Sequence, residues 1–185
     1  MNNKILIGIL ALVLLVVLYG WGTYNRLVTG RENVDNQWAQ VETQYQRRLD
    51  LIPNLVESVK GIMKQEQAVF NAIAEARTRY AGAGTVDEKA AAATQVESAL
   101  GRLLVVMENY PQLKSAENVQ TLMAQLEGTE NRVSVERKRF NDMVRDFNLM
   151  IKRFPSKVIA GLFSFSERSY FEAAPEAKNA PKVQL

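Results

Sequence analysis

Steps of seven from Val119 meet Val119, Leu126, Val133, Phe140, Phe147 and Phe154, every one apolar. A second row, Leu122, Thr129, Glu136, Met143 and Met150, is mixed, but Met123, Val144 and Ile151 adjoin it. A strict seven-residue repeat keeps one stripe against a partner helix, as in coiled coils and bundles. Pro155 cannot continue the run, so the pattern predicts a helix over 115–153. Two further rows, Trp38, Tyr45, Ile52, Val59, Glu66, Ile73, Tyr80 and Val34, Val41, Arg48, Leu55, Ile62, Val69, Ala76, predict an amphipathic helix over 32–80. Pro53 removes a backbone donor and crowds the preceding turn, so a kink or restart is expected there, with Asp50 as its cap.

Gly82, Gly84 and Thr85 form the clearest turn signal in the chain. A third helix follows, with Val96, Leu100, Leu103, Met107 and Tyr110 on one face, ending before Pro111. Short connections between long helices make neighbours antiparallel. The predicted fold is therefore all-α, an antiparallel up-down bundle of long helices behind an N-terminal transmembrane helix.

That transmembrane helix is read from residues 5–24, ILIGILALVLLVVLYGWGTY, which carry no charge between Lys4 and Arg26. Twenty helical residues rise ~30 Å, the thickness of a bilayer's hydrocarbon core. Leu, Ile and Val fill most of the stretch, and together favour insertion by about −4 to −7 kcal/mol as an upper bound. Tyr19, Trp21 and Tyr24 fall where an aromatic belt belongs. A cleaved signal peptide is the competing reading, with Gly20 and Gly22 as a weak cleavage pattern. The run is long for that, and Trp21 and Tyr24 are bulky where small residues are needed. Lys4 and the terminal amine on one side balance Arg26 and Arg31 on the other, so flanking charge assigns no side of the membrane.

The expected organisation is a flank over 1–4, the membrane helix over 5–24, the helical bundle over 25–172 and a mobile tail over 173–185, where Pro175 and Pro181 interrupt any apolar period. Lys and Arg number 23 against 20 Asp and Glu. So even a balance makes no basic face for nucleic acid, which is excluded as a partner. The chain has no Cys and no His. Thiol nucleophiles, imidazole acid–base chemistry and zinc sites of the usual ligands are thereby excluded.

The remaining polar residues offer two groups of candidates. Arg47, Arg48, Asp50, Glu66, Glu127, Glu130, Arg132 and Arg137 interrupt the apolar stripes or border them. They are expected to form a polar interhelical layer that fixes register, the best-attested use of such residues; a binding or switching layer is the alternative. Glu127 and Glu130 have part of a di-iron spacing, but the Glu-x-x-His pairs of those centres cannot form without His. No metal, cofactor or catalytic residue is expected: Gly82-Ala83-Gly84 is not followed by the Gly-Lys-Ser/Thr of a phosphate loop. The aromatics Phe154, Phe163, Phe165, Tyr170 and Phe171 belong to an apolar block over 156–172 and its border. They either pack the bundle's end or present a surface to membrane or partner helices, with Lys157 and Arg168 as its basic residues.

Several blocks together resemble bacterial LemA proteins. They are YNRLV at 24–28, ENVDNQWAQVE at 32–42, QYQRRLDLIPNLVESVKG at 44–61, ENYPQLKS at 108–115, LEGTENRV at 126–133 and RKRFNDMVRDFNLMIKRFP at 137–155. The resemblance covers most of the chain after the anchor. It implies an N-terminally anchored, antiparallel helical bundle in a bacterial inner membrane. One member of that family is associated with magnetosome formation, which points to membrane organisation. With the heptads and the absence of catalytic chemistry, the expectation is a single-pass, non-catalytic scaffold. It would meet the bilayer through 5–24 and engage protein partners or its own copies through helix surfaces. Direct lipid binding or membrane remodelling is the alternative.

Overall fold

The computed structural model describes residues 3–171, and among them six helices and no strand. They are α1 (Asn3–Lys60), α2 (Gln67–Gly82), α3 (Val86–Met107), the short α4 (Pro111–Lys114), α5 (Glu117–Lys152) and α6 (Ser156–Leu162). The expected bounds of the last long helix hold to within two residues. The tail expected to be mobile over 173–185 lies outside the described residues.

Two expectations are corrected. The helix read over 32–80 is two helices, because α1 ends at Lys60 and the chain turns before α2 begins at Gln67. Both helices bury members of one sevenfold row, which only Glu66, in the turn between them, interrupts. Val59 is fully buried before the turn, and Ile73 and Tyr80 are buried after it. The polar run 64–67 and Gly61 mark the break. The expected restart at Pro53 does not occur: α1 is helical through it. One lost donor is outweighed by the turns on either side, where Leu49, Ile52 and Leu55 are all buried. Asp50 therefore caps nothing and accepts a hydrogen bond from Gln46 Nε2 at 2.9 Å within the helix.

The chain divides into two compact units. The first joins residues 3–37 to Arg139–Tyr170. In it Gly30 of α1 sits where a Cβ would come within 3.1 Å of the Phe147 ring of α5. Leu27 and Val34 of α1 and Val144, Phe147 and Ile151 of α5 are all buried. The second unit joins Trp38–Lys138 to Phe171. There α2 and α3 are antiparallel about the Ala83–Thr85 turn, with Arg79 donating to Gln95 across them. The contacts Glu42–Lys89 and Tyr45–Glu97 climb α1 and α3 together, so those helices run the same way. Glu97 joins Tyr45 to Arg137 while Arg48 meets Glu130, so α5 descends as α1 climbs. The order up, down, up, down follows from these pairs.

Local chemistry sets the α2–α3 turn. Thr85 accepts from the Glu88 backbone N–H at 3.2 Å, while Glu88 accepts from the N–H groups of Gly84 and Thr85 at 2.9 and 3.0 Å. This reciprocal cap satisfies donors that the first helical turn leaves open. Those hydrogen bonds hold the Glu88 carboxyl below its ordinary pKa.

Candidate functional site

Two places concentrate chemistry, one in each unit. In the second unit a polar cluster interrupts the bundle core. Tyr45, itself buried, donates its phenol proton to Glu97 Oε1 at 2.7 Å. Arg137 reaches the same carboxylate oxygen through Nη1 at 3.3 Å. Its guanidinium carbon also lies 4.0 Å from the centroid of the Phe171 ring, a cation–π contact. Phe171 in turn stacks on Tyr45 and on Trp38, with centroids 6.3 and 6.1 Å apart, and is buried. Burial, and then the neighbouring Glu97 carboxylate, push the Tyr45 phenol far above its ordinary pKa.

Next to it, Arg48 forms an ion pair with Glu130. The Arg48 side chain is 11% exposed and that of Glu130 43%. Burial lowers the Arg48 pKa, and Glu97 and Tyr45 oppose that shift. Its Nε has no hydrogen-bond partner among the described residues.

Of the polar residues singled out in the sequence, the fold brings Arg48, Glu130 and Arg137 into this region. Arg47, Glu127 and Arg132 are exposed, as is Asp50. Glu66 stands before α2 and accepts from the Tyr110 hydroxyl at 3.3 Å. Sequence reasoning missed Tyr45 as a polar member and Glu97 altogether. Glu97 follows Val96 and precedes Leu100, both buried, so a carboxylate bordering the α3 stripe was the available signal. Its partners lie 52 and 40 residues away, which no local pattern reveals.

In the first unit the exposed apolar surface begins with α1. None of its apolar window is buried within the protein, and by length and composition α1 is able to cross a membrane. The end of this stretch carries company. Ile159 of α6 lies where a Cβ on Gly20 would meet it at 3.6 Å. Tyr24 packs on Phe163 and Phe165, with centroids at 4.7 and 5.9 Å. Arg31 lies 5.5 Å from the Phe165 centroid.

The segment after α6 is tied down. Buried Asn148 both donates to the Arg168 carbonyl and accepts from the Arg168 N–H, each at 2.9 Å. Arg168 pairs with Asp35, and Lys152 with Glu167 at 2.7 Å, which raises the lysine's pKa. Phe154, Phe163 and Tyr170 are exposed and Phe165 is half-buried, whereas Phe171 is buried in the other unit. Among the described residues no three His, Cys, Asp or Glu side chains converge as metal ligands.

The profile of the LemA family matches residues 37–185. Magnetosome proteins MamQ 1 and MamQ 2 of Paramagnetospirillum magneticum are each 25% identical over 178 residues, covering 82% of this chain and 65% of their own length. Magnetosome protein MamQ of Magnetospirillum gryphiswaldense matches with the same identity and coverage. The chain thus spans about two thirds of the length of these relatives, slightly under it at 65%.

Proposed function

The chain belongs to the LemA family, and from that premise we propose that it is a non-catalytic scaffold crossing the bacterial inner membrane once. The observation that carries the reading is the unburied apolar stretch at the start of α1, the same helix that supplies Val41, Tyr45, Ile52 and Val59 to the bundle core. The anchor and the core thus share one helix. A membrane location also agrees with relatives named as magnetosome proteins.

The polar cluster serves register in this reading. A buried charged pair gives little net stability against an apolar replacement, but it penalises any slide that separates its partners. Working surfaces are then the exposed helix faces, offered to protein partners or to further copies. Crosslinking and sizing of the detergent-extracted full chain test this. Discrete oligomers are expected, and a strict monomer at high concentration would remove self-assembly from the reading. Accessibility of a tag at Leu185 in cells and spheroplasts assigns the side.

A second reading, direct engagement of lipid, is favoured by one observation. Phe154 is 84% exposed and Leu162 72%, close to the 73% of Trp21 in the apolar stretch itself.

A further inference from the structure

We propose that the turn between α5 and the tied segment, carrying Phe154, Val158, Leu162 and Phe163, is a second membrane contact that dips into the bilayer beside the anchor. The inference deepens the lipid reading and rests on the membrane anchor.

The position comes from the contacts with α1. Ile159 lies against Gly20, which precedes Arg26 by six residues, or ~9 Å of helix rise toward the apolar end. Interfacial amphipathic helices bury their apolar faces to a depth of ~5–10 Å, so α6 sits at the level such helices occupy. Tyr24, where an interfacial aromatic belongs, holds Phe163 and Phe165 at that level.

The residues pointing away from α1 suit lipid. Val158 and Leu162 are one helical turn apart and share the exposed face of α6, with Phe154 just before it. Ile159 and Ala160 turn inward. Exposure here is not looseness, because Asn148, Asp35 and Lys152 hold the return segment through Glu167 and Arg168.

Charge completes the match. Between residues 150 and 170 the basic residues are Lys152, Arg153, Lys157 and Arg168, and the one acidic residue is Glu167. Lys152 and Arg168 are paired, while Arg153 and Lys157 are exposed and have no acidic partner among the described residues. Apolar side chains flanked by exposed cations fit the headgroup boundary of an anionic leaflet.

The absence of Cys makes the test clean. Full-length Val158→Cys, Leu162→Cys, Leu12→Cys and Glu127→Cys are each labelled with an environment-sensitive fluorophore. They are reconstituted in vesicles of phosphatidylcholine and phosphatidylglycerol, after circular dichroism shows unchanged helix content. Quenchers are nitroxide-bearing phospholipid and aqueous iodide. The proposal expects labels at 158 and 162 to lose most of their fluorescence to the lipid quencher, as at 12, and little to iodide. The label at 127, on an exposed bundle position, should do the reverse.

Arg153→Gln with Lys157→Gln should reduce lipid quenching at 158, and no change would overturn the headgroup assignment. If 158 and 162 behave like 127, the turn stands in water and the proposal fails while the anchor survives. Labels shielded from both quenchers would mean a protein occupant, which also overturns it. If 12 itself is quenched by iodide and not by lipid, the anchor reading falls first.

Discussion

Replacing Glu130 with Gln strands a guanidinium in the bundle. Arg48 is only 11% exposed at its side chain, its Nε has no hydrogen-bond partner among the described residues, and Glu130 is its ion-pair partner. An arginine does not discharge at accessible pH, so the charge stays when the partner goes. Breaking a fully buried pair costs ~3–5 kcal/mol, and an exposed pair is worth ~0–1 kcal/mol. Glu130 is 43% exposed, so water already shares in solvating the pair, and nearby Glu97 still attracts Arg48. A cost of about 1–3 kcal/mol lies between those limits.

The converse change behaves differently. Arg48→Met removes the charge, keeps most of the volume and lets Glu130 turn toward water, so it should cost less than Glu130→Gln. The double variant should match Arg48→Met alone, because the introduced glutamine then leaves no charge stranded. Urea unfolding of the full chain in mild detergent, followed by far-UV circular dichroism, gives all four corners of the cycle. Arg48→Met proving the costlier single change would refute a stranded Arg48 charge. A coupling below the ~0.3–0.5 kcal/mol at which independent sites add would refute it equally.

Tyr45 gives a pH dependence. Its folded pKa is raised, so its contribution is complete below the unfolded phenol value of ~10 and is lost as pH climbs above that value. Tyr45→Phe should cost about 0.5–1.5 kcal/mol at neutral pH, for the lost hydrogen bond to Glu97, and should flatten the alkaline loss of stability; an equally steep alkaline arm in the variant would assign it elsewhere. Thr85→Ala should cost about 0.5–2 kcal/mol by removing the cap of α3, measured by denaturant midpoint. Gly30→Leu should destabilise by about 1–3 kcal/mol, since its Cβ already meets Met150 and Phe147 at 2.9 and 3.1 Å. Gly101→Ala, with open space at its Cβ in mid-helix, should instead stabilise by about 0.5–1 kcal/mol.

The apolar rows carried most of the fold because a sevenfold period depends only on polarity and spacing. From Val119 to Phe147 every member is buried, but Phe154 is not, since the helix has ended and its neighbour in the row is now a turn. The same logic hid the break after Lys60: two helices that bury members of one row look like one helix. Pro53 misled in the other direction, because a local penalty was weighed without the core burial that overrides it. The site was less visible. Arg48, Glu130 and Arg137 could be suspected as charges on buried stripes, but Glu97 and Tyr45 acquire meaning only when three helices meet. The placement of Ile159 beside Gly20 is likewise a tertiary fact, joining residues far apart in the chain.

Alkaline carbonate extraction of membranes holding the intact chain bears most directly on the anchor. The proposed anchor, with the apolar start of α1 in lipid, predicts that the polypeptide stays in the membrane pellet. Release of the chain into the supernatant would contradict it.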